Sequence, residues 1–66
     1  MQLTVNGAPH NLEDGTTLAT LLGQLGLVVG SVVVEHNGTA LLRSEVLTTS
    51  LSDGDVLELV KAVAGG

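Results

Sequence analysis

The six residues Lys61-Ala62-Val63-Ala64-Gly65-Gly66 close the sequence and hold its best candidate for chemistry. Successive glycines lack Cβ atoms, so the pair can lie flat in a channel too narrow for any other residue. The α-carboxylate of Gly66 has a reference pKa of about 3.3–3.7, is ionised at neutral pH, and is a poor electrophile until it is activated. Gly66 is therefore expected to be the functional atom-carrier, with Gly65 and Ala64 threading it into a partner. Residues 1–60 are expected to form the folded handle and residues 61–66 a flexible tail. At an average glycine usage of about 7%, such an ending arises by chance in about one chain in 200. The pair alone is thus only suggestive and needs support from the rest of the chain.

Side chains elsewhere offer little competing chemistry. His10 and His36 are single and far apart, and are expected on the surface in or beside strands rather than as catalysts or metal ligands. Ser31, Ser44, Ser50 and Ser52 fit turns and caps. Asp53-Gly54-Asp55 lacks the ligands spread over a twelve-residue loop, and the closing glutamate, that an EF-hand needs, so it is a turn. Gly23-Gln24-Leu25-Gly26 falls inside and at the end of a helical pattern, not at its start, which excludes a phosphate loop. No metal or cofactor is expected on this chain, and the chain is not itself expected to be an enzyme.

The elements that must position the tail follow from periodicity. Leu3 and Val5 alternate with Gln2 and Thr4, as in a half-buried strand. Asn6-Gly7 signals a tight hairpin, because both residues accept φ > 0. A weaker strand spans about Ala8 to Leu12, where Pro9 argues for an edge position. Thr16 or Thr17 caps a helix whose Leu18, Leu21, Leu22 and Leu25 form one apolar stripe, and Gly26 ends it. Gly23 inside that helix costs up to ~1 kcal/mol relative to alanine and predicts a close neighbour. Val32-Val33-Val34 reads as a strand buried on both sides or at the sheet centre. Asn37-Gly38 turns it into a short segment from Thr39 to Leu42, and a single helical turn follows near Arg43. After Ser52-Asp53-Gly54-Asp55, the last strand runs from Val56 to Val60, with Leu57 and Leu59 inward and Glu58 and Val60 outward.

Composition bounds the function. A 66-residue chain is one small domain, and with no cysteine it must be stabilised by aliphatic packing, from thirteen leucines and ten valines. Net charge is −5, Arg43 and Lys61 are the permanent cations, and there is no aromatic residue. Phosphate neutralisation and base stacking are both excluded, and with them nucleic-acid binding. The longest mostly apolar run, Leu25 to Val34, is well short of the ~20 residues that span a bilayer. The absence of a signal-like start and of cysteine fits a soluble, cytoplasmic protein, monomeric on its own. An acidic surface favours docking to a basic protein surface. Val60, Ala62 and Val63 beside the tail are candidate docking residues, and Arg43 and Lys61 either steer the tail or pair with neighbouring acids.

The order β-β-α-β-(β)-β describes an α+β, ubiquitin-like β-grasp: a mixed four- to five-stranded sheet with one main helix on one face and parallel first and last strands. This order resembles the ubiquitin-like sulfur carriers of the MoaD/ThiS family. The likeness rests on Gly15-Thr16-Thr17-Leu18 with Leu21-Leu22, Asn37-Gly38 before Arg43-Ser44-Glu45, and Asp53-Gly54-Asp55 leading through Val56–Val60 to Gly65-Gly66. It covers the whole chain, nearest the thiazole branch of thiamine biosynthesis. Val46 and Leu42 depart from it, standing where family members often carry an aromatic residue and a proline.

The resemblance implies partners rather than catalysis. A ThiF-like adenylyltransferase, akin to ubiquitin-activating enzymes, would use ATP to convert the Gly66 carboxylate to an acyl-adenylate. Sulfur from a cysteine desulfurase or persulfide donor would displace AMP, leaving a thiocarboxylate, and thiazole synthase (ThiG) would take that sulfur. Molybdopterin, cysteine or tRNA-thiolation carriers share the fold and tail, as does a ubiquitin-like modifier conjugated through Gly66. A plain binding module is a third reading.

Overall fold

In a computed structural model that describes residues 1–62, the chain forms β1 (Gln2–Val5), β2 (Ala8–Asn11), α1 (Leu18–Gln24), β3 (Val32–His36), β4 (Thr39–Ala40), α2 (Arg43–Val46) and β5 (Val56–Lys61). The strands make one sheet in the order β2-β1-β5-β3-β4. β1 and β5 are parallel neighbours, and the other pairs are antiparallel. This is the β-grasp arrangement expected from the sequence, with the last strand at the sheet centre.

Local chemistry explains the elements. Asn6 and Asn37 hold φ of 49° and 50° with Gly7 and Gly38 at 79° and 85°, the left-handed pair that matches the twist of a two-residue hairpin. Thr17 caps α1, its hydroxyl accepting the Thr20 N–H at 3.1 Å. Gly26, at φ 73°, turns the chain away after the C-cap Leu25. Leu18, Leu21 and Leu22 cover Leu3, Val5, Val34, Leu57 and Leu59, all buried on one sheet face, with Val46 and Leu51 closing the core. Each leucine buried in this way contributes ~1.5–3 kcal/mol.

Several sequence expectations need correction. Only Val34 of the valine run is buried; Val33 is 51% exposed, because α1 covers one sheet face and leaves the other open. Leu25 is 39% exposed, since α1 ends at Gln24 and carries the stripe no further. Nothing lies within 4 Å of a Cβ built on Gly23, so no neighbour packs there. The short strand after Asn37-Gly38 stops at Ala40, and β5 runs one residue further than expected, to Lys61. Neither departure from the family pattern disturbs the packing. Val46 sits in the core, and the Leu42 N–H donates to the Glu45 carboxylate at 2.7 Å to start α2.

The turn before β5 is a junction. The Gln2 N–H donates to Asp53 Oδ1 at 2.6 Å, and the Gly54 N–H to the Gln2 carbonyl at 2.7 Å. Asp55, 8% exposed, accepts from the Ser52 N–H (2.8 Å) and Asn37 Nδ2 (3.0 Å), and lies 2.8 Å from His36 Nε2. Burial opposes the charge on Asp55. The hydrogen bonds from Asn37, His36 and the Ser52 N–H, with the attraction of His36, outweigh it and hold the carboxyl below its ordinary value. The histidine expected at the surface is thus half-buried and bonded.

A depressed folded-state pKa stabilises the fold above the unfolded carboxylate value of about 3.9, and that stability is lost as pH falls through the folded value. The melting temperature is expected to hold from pH 7 to about 5 and to fall below about 4. Asp55→Asn should be destabilised by about 1–3 kcal/mol at pH 7 and should converge on wild type in acid. Far-UV circular dichroism melts across this range check both.

Candidate functional site

The expected reactive group lies on the tail, so the site is first a question of what holds the tail's root. β5 pairs with β3 along its length, from His36↔Leu57 to Val32↔Lys61. On its other side β1 supplies only Thr4↔Val56 and Val5↔Leu57 before the chain turns away. The Asn6 side chain then replaces the missing strand: Leu59 N–H donates to Asn6 Oδ1 at 2.7 Å, and Asn6 Nδ2 donates to the Leu59 carbonyl at 3.2 Å. At the start of β5, the Val56 N–H donates to Asn37 Oδ1 at 2.8 Å. Both asparagines of the Asn-Gly turns therefore clamp the backbone of the strand that leads to the tail. Beyond Lys61, the Ala62 N–H donates to the Ser31 carbonyl at 2.9 Å. Val63, Ala64, Gly65 and Gly66 lie outside the described residues.

The docking candidates fall on different surfaces. Val60 projects from the open face of the sheet at 59% exposure. Lys61, one residue on, lies on the helix side, beside an apolar cleft of about 420 Å³ lined by Val5, Leu25, Leu27, Val32 and Leu59, with His10 also on its wall. Ala62 is exposed at the strand's end. Arg43 lies over the loop before β3: a Cβ on Gly30 would come within 2.7 Å of its Cζ, so its guanidinium occupies the space that glycine leaves. That loop contains Ser31, the anchor of Ala62.

Elsewhere the polar side chains of the described residues make structural contacts. The partners of Asp55 are an amide, an imidazole and a backbone N–H, and no hydroxyl or amine is bonded to His36. No buried side-chain nitrogen or oxygen among the described residues lacks a partner. No three His, Asp or Glu residues among them gather in a way that could hold a metal ion. The clamps of Asn6, Asn37 and Asp55 were not evident in the sequence, where these residues register only as turn formers. The available hint was that both hairpin turns use asparagine, whose amide can both donate and accept.

A five-stranded mixed sheet with parallel terminal strands at its middle and one main helix on one face defines a ubiquitin-like β-grasp protein. A model of the ThiS family matches residues 3–66, and the chain belongs to that family. The sulfur carrier protein ThiS of Thermus thermophilus is 42% identical over 62 residues, covering 94% of this chain and 95% of that protein. The crystal structure of the thiamine biosynthesis protein ThiS from Geobacter metallireducens superposes with a TM-score of 0.83 at 35% identity, covering all of both chains. A thiazole synthase of Magnetococcus marinus is 39% identical over 66 residues; the match covers this whole chain but only 20% of that enzyme. A second thiazole synthase, from Paramagnetospirillum magneticum, matches at 36% identity with the same 20% share of its length.

Asn6→Gly keeps the positive φ of the turn and removes only the clamp. It is expected to cost about 1–3 kcal/mol, because it strands the Leu59 N–H and carbonyl, and to speed amide exchange at Leu59 selectively. Chemical denaturation followed by circular dichroism, with hydrogen exchange read by NMR, checks both effects. Unchanged exchange at Leu59 would show that the clamp contributes nothing.

Proposed function

We propose that this chain is a sulfur carrier of thiamine biosynthesis, a substrate passed between enzymes rather than a catalyst. The observation that carries the reading is the family match running through Gly66, on a chain whose described side chains make structural contacts. The Thermus relative named as a sulfur carrier is matched over nearly its whole length, which supports the same role here. Two relatives named as thiazole synthases include a segment similar to this entire chain. A carrier joined to the synthase in one polypeptide favours thiazole synthase as the sulfur acceptor, over the molybdopterin, cysteine and tRNA-thiolation pathways.

The chemistry belongs to the Gly66 carboxylate. An adenylyltransferase of the ThiF type, bringing ATP, makes a mixed anhydride with AMP, a far better acylating agent than a carboxylate. The outer sulfur of a persulfide charged by a cysteine desulfurase attacks the acyl carbon and displaces AMP. A second thiol, such as that of free cysteine, then splits the acyl disulfide to form a new disulfide and the thiocarboxylate, whose sulfur is the nucleophile of the later step. The five residues after β5, 62–66, span at most ~17 Å if fully extended, enough to enter a partner's active site while the sheet stays outside. Gly65 and Ala64 suit such a channel because they are the narrowest residues available. In this reading the contribution of residues 1–60 is to hold β5 rigid up to the tail and to present a surface that the partners recognise.

Incubation with ATP, a ThiF-type adenylyltransferase, a cysteine desulfurase and cysteine should raise the intact mass by the difference between sulfur and oxygen, localised to Gly66. An unchanged mass with demonstrably active partners would sink the proposal, and stable conjugates to other proteins would favour a modifier instead. Deletion of Gly66 should abolish the mass change and leave the melting temperature unaltered.

A further inference from the structure

The loop before β3 fixes the root of the tail, and it is braced from both sides. Ser31 closes a four-residue turn, its N–H and its hydroxyl donating to the Val28 carbonyl at 3.0 and 2.8 Å. Gly30 holds the third position of that turn at φ 97°, where a side chain would be strained. On the inner side Leu27 and Val29 pack against the core, and the Leu27 N–H donates to the Leu22 carbonyl at 2.8 Å. On the outer side lies the Arg43 guanidinium, whose Cζ, Nε and Nη2 would stand 2.7, 2.9 and 2.9 Å from a Cβ on Gly30. Directly after Gly30, the Ser31 carbonyl accepts the Ala62 N–H at 2.9 Å, one residue past the pair Val32↔Lys61. Arg43 is not engaged by an acid: the ion pairs among the described residues are Met1–Asp14 and His36–Asp55, and the nearby Glu45 carboxylate takes the Leu42 N–H. Its own backbone begins α2, which Val46 ties to the core.

We infer that Arg43 is a positioning residue for the carrier chemistry: it braces the 28–31 turn, so that the Ser31 carbonyl fixes the point from which the tail leaves the sheet. The inference rests on the carrier reading and adds to it the side chain that aims the tail. A glycine in a turn has the widest choice of backbone conformations, so the turn needs a cover to stay in one of them. A guanidinium is flat, delocalised and weakly hydrated, which suits it to lie against bare backbone; a lysine ammonium is a compact, strongly hydrated charge and does not. The consequence is leverage. Four residues follow Ala62 and extend at most ~14 Å. With the Ala62–Ser31 bond made, that reach starts from one fixed point. With it lost, the last fixed point falls back to Val32↔Lys61, and the volume open to Gly66 grows. Gly66 then meets a partner's reacting atoms less often in the productive geometry, where a misplacement of about 1 Å costs on the order of 100-fold in rate. The loss falls on the chemical step, because the surface that the partner binds is unchanged.

The test compares Arg43→Ala and Arg43→Lys with wild type. Amide exchange is followed by NMR, melting by circular dichroism, and the rate of sulfur gain at Gly66 by intact mass. The reaction contains a ThiF-type adenylyltransferase, ATP, a cysteine desulfurase and cysteine, at varied carrier concentration. Both variants should melt close to wild type, because the Arg43 side chain is exposed. Exchange at Ala62 should speed up about tenfold while Leu57 and Leu59 stay as they were, and kcat should fall about tenfold with KM within about twofold of wild type. A raised KM with unchanged kcat, or a lysine variant that behaves as wild type, makes Arg43 a charge that the partner binds and overturns the inference. Unchanged exchange at Ala62 overturns it as well, and so does an equal rise at Leu57 and Leu59, which is a general loosening of the sheet. The carrier reading is decided separately. A thiocarboxylate formed by Arg43→Ala at the wild-type kcat sinks this inference alone, whereas a wild-type protein that gains no sulfur from active partners sinks the carrier reading and this inference with it.

Discussion

A strand at the centre of a sheet must have its backbone hydrogen-bonded on both sides, and in this chain β5 meets that demand although one of its neighbours is too short. β1 turns away after Val5, yet Leu59 is still satisfied on that side, because the Asn6 amide presents one acceptor and one donor in the positions a further residue would offer. Buried backbone groups left unpaired cost about as much as a lost hydrogen bond each. At the other end of the strand Asn37 accepts from the Val56 N–H and is itself held by Asp55, and Asp53 extends the junction to Gln2. Four polar side chains thus allow a sheet built from short strands to enclose a central one. The helix and the leucine core both follow from β5 being held there.

This arrangement also divides the two sides of β5. Leu57 and Leu59 lie under α1, while Glu58 and Val60 face outward on the uncovered side. The covered face supplies stability, and the open face is left to solvent. On that open face Glu35 and Glu58 stand directly opposite each other, a pairing tolerable because the clamps and the aliphatic core secure the strand that bears one of them.

Much of the fold was legible in the sequence. The two Asn-Gly turns, the Thr17 cap, the leucine stripe and the alternation of Val56 to Val60 each encode local geometry, and the β-grasp follows from their order. Burial of neighbours was less legible, since it depends on which face a single helix covers. Val33 belongs to a β-branched run that looks fully buried, and Leu25 to a stripe that looks continuous, but α1 is seven residues long and covers one side. The expected site at Gly66 lies outside the described residues, and its reading rests on the sequence. The pairing of Glu35 with Glu58 was not legible, because they are 23 positions apart and meet only through the register of β3 and β5.

The asparagine clamps also bear on chemical ageing. An asparagine followed by glycine is the pairing most open to attack by the next backbone nitrogen on its side-chain carbonyl, which expels ammonia and leaves an acid or an isomerised backbone. At Asn6 the side-chain oxygen is held by the Leu59 N–H and the nitrogen by the Leu59 carbonyl, so the amide is restrained from rotating into the geometry of attack. Conversion to aspartate would set a carboxylate oxygen against that carbonyl and turn a clamp into a repulsion. The working lifetime of the carrier is thereby tied to an amide far from Gly66 in sequence, and the contact that keeps the strand in place also protects the residue that makes it.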